Sequence, residues 1–157
     1  MKLAKVFKEN KQFTLFSILA LVVVGVAVFA PQIAPYDPLN AVMLESLQAP
    51  SSAHLFGTDK LGRDLLSRVI FGTRTSLVMT LCLVAVIFVI GTFLGVIAGY
   101  FGGIVDGVIM RIADMMISFP GLVLAIAIAG MLGPNLVNAV ISIAAVSWTK
   151  YARLARS

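Results

Sequence analysis

The residues able to do chemistry are few and scattered. The chain has a single histidine, His54, and a single cysteine, Cys82. No group of His, Cys, Asp and Glu has the close spacing that a zinc or nickel site needs. Ser, His and Asp all occur, but nothing places a nucleophile beside a base, and no phosphate-cradling or dinucleotide-binding glycine loop is present. His54 stands alone in a polar connection and reads as a solvated side chain rather than a ligand. Met110, Met115 and Met116 offer soft thioethers, although methionine at this density in an apolar helix is ordinarily packing material. Cys82 lies inside a long apolar run and has no partner for an intrachain disulfide. These residues predict neither an enzyme nor a metal or cofactor site.

Charge is the remaining chemistry, and its distribution shows which elements must carry it. The chain has 157 residues, 60% hydrophobic and 12% charged, with mean hydropathy +1.03. A soluble domain is about 25% charged, so this surface cannot be that of a soluble fold. No Asp, Glu, Lys or Arg occurs in 12–36, 75–105 or 115–149, whereas a bilayer-spanning helix needs only about 20 apolar residues. A soluble enzyme, a disulfide-stapled secreted domain and a disordered chain are excluded. The net charge of +5 forms no nucleic-acid stripe. Lys2, Lys5, Lys8 and Lys11 precede the first apolar run, and Lys150, Arg153 and Arg156 follow the last, as in cytoplasmic flanks held against anionic lipid.

The fold expected is therefore an all-α membrane protein with about four transmembrane helices. Residues 1–11 form a basic cytoplasmic tail and 12–30 the first span. That span is retained rather than cleaved, because its apolar core exceeds the about 7–15 residues of a signal peptide and Pro31 follows the small-residue pattern at Val28 and Ala30. Residues 31–74 are an external segment, and 75–157 hold the remaining spans, near Thr75–Gly99, Met115–Leu132 and Leu136–Thr149. Gly133-Pro134-Asn135 divides the last two, and Leu136–Thr149 is slightly short for a span, so its helix either tilts little or runs on past Lys150. Both ends then face the cytoplasm.

Within these elements, Gly91, Gly95, Gly99 and Gly103 recur every four residues. Such a row lets helix backbones approach closely in lipid, where hydrophobicity cannot drive them together. Ala125, Ala129 and Gly133 repeat the device. Packing within the chain carries most weight, and an interface with a second membrane protein stays open. In the external segment, 31–53 reads as an extended, proline-rich connection. A short amphipathic helix is expected from Asp59, with Leu65, Leu66, Val69 and Ile70 on one face and Asp64 and Arg68 paired at i,i+4. Together with Gly62, Arg63 and Arg74, these residues mark an elbow or a docking surface for an external partner. Asp106, Arg111, Asp114, Tyr151, Arg153 and Arg156 mark the cytoplasmic surface, with Arg111 and Asp114 expected to pair at i,i+3. Anchoring is their default role and coupling to a cytoplasmic partner the sharper one. Pro120-Gly121 predicts a kink or a helix start, and Asn135 and Asn138 a helix cap.

Leu55-Phe56-Gly57-Thr58-Asp59-Lys60-Leu61-Gly62-Arg63-Asp64, Ser67-Arg68 and Gly72-Thr73-Arg74-Thr75-Ser76-Leu77 resemble the permease subunits of the oligopeptide/dipeptide/nickel ABC importers. The likeness continues through Ala98-Gly99-Tyr100-Phe101-Gly102-Gly103, Asp106, Met110-Arg111, Asp114, Phe119-Pro120 and Leu132-Gly133-Pro134. It ends at Trp148 and Tyr151-Ala152-Arg153-Leu154-Ala155-Arg156, and Ala34-Pro35-Tyr36-Asp37-Pro38 fits the segment after the family's first span. The resemblance implies a bacterial inner-membrane importer with two related permeases, two cytoplasmic ATPases and an external solute-binding protein. ATP would be used by the partner subunits, with no cofactor held by this chain.

Family members run to about six spans, each of about 20 residues, and their ATPase-contacting loop would begin just after Ser157. The resemblance thus covers the N-terminal part of a permease, and residues 1–157 alone are expected not to couple ATP hydrolysis. For cargo, small peptides are weighted above nickel or a nickel chelate, since the scarcity of His and Cys gives nickel no positive support. A different class of function, a non-transporting membrane subunit that packs through its glycine faces, is the third reading.

Overall fold

The computed structural model describes residues 10–157. Lys2, Lys5 and Lys8, on which the basic tail rests, lie outside the described residues. Among the described residues all regular structure is helical apart from an isolated antiparallel bridge between Thr58 and Asp64. The chain divides into two compact units, Met1–Val78 and Met79–Ser157.

The first unit begins with α1, Lys11–Val28. Its 18 residues contain no proline, and at 1.5 Å per residue they span about 27 Å, close to the hydrocarbon thickness. Most of its side chains are exposed, as a lipid-facing helix requires. The helix stops two residues earlier than expected. Pro31 has no N–H to continue it and instead sits in the first turn of a new short helix, α2, Ala30–Ile33.

The segment that follows is not the extended connection expected from its prolines. A 3₁₀ turn forms at Met43–Glu45, and backbone bonds cross between strands of the loop, from Leu47 N–H to Asp59 O and from Thr58 N–H to Gln48 O. Gly57 and Gly62 make this folding sterically possible. Both have positive φ, 74° and 71°, and a Cβ would lie 2.4 Å from Gln48 O in the first case and 1.8 Å from Val42 O in the second.

Helix α3, Leu65–Phe101, begins in this unit and continues into the second. The separate amphipathic helix expected from Asp59 does not form. Asp59–Asp64 is instead a tight turn, closed by Gly62 N–H to Asp59 O and Asp59 N–H to Arg63 O. Leu65 is the first helical residue, and the supposed elbow is simply the beginning of α3. Ile70 is buried but Val69 is exposed, so the expected apolar face is not a single buried stripe.

In the second unit, α3 is followed by α4, Gly103–Ser118, α5, Gly121–Leu132, and α6, Leu136–Arg156. Gly102 and Gly103, at φ 59° and 51°, turn the chain between α3 and α4. Phe119 and Pro120 break α4 from α5, leaving a 93° bend. The span expected at Met115–Leu132 is therefore not one helix, because Pro120 interrupts it. Gly133, at φ 91°, ends α5. The Asn135 side chain caps α6 by accepting from Val137 N–H at 2.9 Å.

Among the described residues two helices, α1 and α3, are long and apolar enough to cross a membrane, and the bent α4–α5 pair makes a third if it counts as one span. The fourth expected span is absorbed into α6. That helix runs past Lys150 to Arg156, and its polar and basic final turns dilute the apolar Leu136–Val146 stretch.

Candidate functional site

The first candidate site lies in the first unit and is built on two aspartates. Asp64 precedes α3 and caps it. Its carboxylate accepts from the Ser67 amide and the Ser67 hydroxyl, each at 2.7 Å. The same carboxylate faces His54 Nδ1 at 3.0 Å. Burial works against the charge on Asp64, yet the Ser67 hydrogen bonds and His54 outweigh it and hold the carboxyl below the usual range. Ser67 Oγ in turn accepts from Tyr36 N–H at 3.1 Å, which ties the chain after α2 to the start of α3.

His54 is not the solvated side chain expected from the sequence. It is 6% exposed, lies 3.4 Å from Glu45 through Nε2, and packs its ring 4.9 Å from that of Tyr36. Nothing in its sequence neighbourhood signals this, because Tyr36, Glu45, His54 and Asp64 meet only when the loop folds. Thr58 belongs to the same buried group, donating to Glu45 O and accepting from Gln48 N–H.

Asp59 serves as the second anchor. It accepts from the amides of Leu61 and Arg63 at 2.8 and 3.0 Å, and Arg63 reaches it through Nη2 at 2.7 Å. The Arg63 hydrogen bond is the foremost reason that the Asp59 carboxyl is held far below the usual range. Arg68 also pairs with Asp59. The expected Asp64–Arg68 pair is therefore not made, since Asp64 is occupied as a helix cap. Arg74 is exposed on α3 and stands outside this cluster.

The second candidate site lies in the second unit, where α3, α4 and α6 meet. Gly91, Gly95 and Gly99 face the backbone of α6. A Cβ on Gly91 would sit 2.6 Å from Trp148 O, one on Gly95 2.3 Å from Ala152 O, and one on Gly99 3.2 Å from Arg156 O. Gly103 does not extend this row. It has passed the Gly102 turn into α4, and a Cβ there would meet nothing within 4 Å. Ala98, Met110 and Ala152 form the buried centre of this junction, with Ile109 and Trp148 against it. Tyr151 packs edge-on to Phe88, with ring centroids 6.1 Å apart.

Two ion pairs complete the junction, Arg156 with Asp106 and Arg153 with Asp114. The expected Arg111–Asp114 pair is replaced by the second of these, and Arg111 is exposed. Sequence spacing suggested a local i,i+3 partner, but folding brings in a cation from 39 residues away. Among the described residues, no group of three His, Cys, Asp or Glu could hold a metal ion.

Comparison with known proteins places both sites in one context. Residues 91–157 match the family model described as binding-protein-dependent transport system inner membrane component. Residues 2–50 match the N-terminal TM domain of oligopeptide transport permease C. The chain is similar to this permease family along nearly its whole length. Among its relatives is a dipeptide transport system permease protein of Haemophilus influenzae, 40% identical across 96% of this chain and 53% of the relative. A probable D,D-dipeptide transport system permease protein of Escherichia coli is 43% identical across 99% and 52%. A glutathione transport system permease protein of Pectobacterium atrosepticum is 43% identical across 87% and 46%. The chain thus spans about half the length of the curated relatives it matches. In this chain the second site lies within the stretch matched by the inner-membrane component, and most of the first lies between the two matched stretches.

Proposed function

We propose that the complete protein is the membrane permease subunit of an ATP-driven, binding-protein-dependent importer of dipeptides or oligopeptides in a bacterial inner membrane. The observation that carries this reading is 40–43% identity to dipeptide permeases along nearly the whole chain. The apolar helices α1 and α3 and the close helix packing around Gly91, Gly95 and Gly99 suit a membrane pathway. The chain's role is passage rather than catalysis. It binds no cofactor itself, and ATP is consumed by two cytoplasmic ATPase partners. A second, homologous permease shares the bilayer, and an external solute-binding protein delivers cargo to the side carrying the 31–64 segment. The N-terminus faces the cytoplasm.

Reconstituting the complete transporter in liposomes with its binding protein tests the cargo. Uptake of a labelled dipeptide, driven by ATP and absent without the binding protein, is expected. Uptake of radioactive nickel with no peptide uptake would replace peptide with metal as the cargo. Neither uptake, in a fully assembled complex, would favour a membrane subunit that only packs with others.

A further inference from the structure

Helix α4 is attached to its surroundings in an unusual way. At its start it is joined to α3 by Gly102 and Gly103, both at positive φ and both with open space where a Cβ would be. At its end it breaks at Phe119–Pro120 into the 93° bend. It is therefore a rod of 16 residues between two points where the chain turns. Its neighbours are fixed much more firmly. The glycine row brings α3 and α6 into backbone contact over successive turns, at separations that exclude a Cβ at Gly91 and Gly95.

The rod is tied to this rigid pair by Met110 and Ala113, which are buried, and by the two cross-helix ion pairs. The pairs are unequal. Asp114 and Arg153 are 57% and 48% exposed, so solvent weakens their attraction. Asp106 is only 19% exposed. Its Oδ1 is buried without a hydrogen-bond donor, which leaves Arg156 as the group that balances the charge. Arg156 is held from both sides, with its backbone against Gly99 and its guanidinium on Asp106.

We propose that Asp106–Arg156, supported by Asp114–Arg153, is an electrostatic clamp that holds α4 against the paired α3 and α6, so that the three helices move as one body. Asp106 is a positioning residue for transport. The proposal rests on the permease reading for its functional consequence, but its mechanical part does not. Without the clamp, α3 and α6 stay paired while α4 swings about Gly102–Gly103, so ATP is spent without a matching movement of α4.

The test uses the assembled transporter in liposomes, with ATP hydrolysis and labelled dipeptide uptake measured together. Cys82, which is exposed, is replaced by alanine, and spin labels are placed at the exposed positions Val108 on α4 and Leu154 on α6. Asp106→Arg and Arg156→Asp are each expected to lower uptake per ATP by about tenfold, the scale of a lost charge-pair coupling, and to broaden the label-to-label distance distribution. The double exchange D106R/R156D should recover both. Where a single variant fails to assemble, recovery of assembly by the double exchange is the supporting result. An unchanged uptake ratio with a narrow distribution in the single variants overturns the clamp, as does a double exchange that recovers nothing. If the wild type carries no peptide, the permease reading fails while the distance distributions still judge the clamp.

Discussion

At Asp64, the hydroxyl and amide of Ser67 and the ring of His54 converge on one buried carboxylate. Its folded-state pKa lies below the free value of 3.8, so the unfolded chain takes up a proton first as pH falls. The stabilisation is therefore complete above about pH 5 and is lost as pH drops through the folded pKa. Asp59 acts in the same direction. Acidification below pH 3.8 should loosen the Tyr36–Ser67 region. Asp64→Asn should make its amide protection less dependent on pH across that window, as read by hydrogen exchange. An equal pH response in the variant would show that Asp64 is not the group responsible. Gly62 matters by shape rather than charge. Its φ is +71°, and an added Cβ would lie 1.8 Å from Val42 O, which leaves no room for a methyl group. Gly62→Ala should cost about 1–3 kcal/mol and expose Lys60 and Arg63 to trypsin. Full resistance would mean that the loop can refold around the methyl.

At the scale of elements, the pairing of α3 with α6 depends on where glycine falls along the helix, not on how many glycines there are. Gly95 lies 2.3 Å, measured from an added Cβ, from Ala152 O, whereas Gly107 in α4 meets nothing within 4 Å. Gly95→Leu should lower the melting temperature of the detergent-solubilised protein markedly. Gly107→Ala should leave it unchanged or raise stability by about 0.5–1 kcal/mol, the ordinary helix-propensity gain. Equal effects of the two would remove the close-contact explanation. The break before α5 follows from Pro120, which cannot donate to a helix continuing from α4, and from the extended backbone of Phe119, φ −87° and ψ 147°. Residues 115–132 pass a hydropathy reading as one span. Pro120-Gly121 announces the interruption, and backbone geometry supplies its steep angle of 93°.

At the scale of the whole molecule, the orientation of the chain in the membrane decides whether the 31–64 segment can meet an external partner. If the 31–64 segment is external, a cysteine at Ser51, in a chain with Cys82 replaced, should react with an impermeant maleimide only from outside the cell. Labelling only from the cytoplasm would reverse the orientation and remove the basis for docking of an external binding protein. Helix α3 is 37 residues long, about 55 Å at helical rise and far more than a bilayer needs. The charge-free stretch from Thr75 onward is the part of it suited to lipid. The basic residues of α6 cannot be assigned to solvent by the same logic, because Arg153 and Arg156 are used against α4.

The sequence by itself determined that this is a helical membrane protein, where its apolar runs lie, and which family motifs it carries. Those properties depend on composition, on local periodicity and on the conformational limits of proline and glycine, all of which act over a few residues. The cap at Asn135 and the break at Pro120 were legible for the same reason. The tertiary structure decided the partners. Asp59 took Arg68 from Asp64, Arg153 took Asp114 from Arg111, and His54 became buried although its neighbours in sequence are polar or exposed. Local spacing supplies several acceptable partners for each charge at nearly equal energy. The choice among them falls to long-range packing, which sets which side chains share a buried space and which carboxylate would be left uncompensated without its cation.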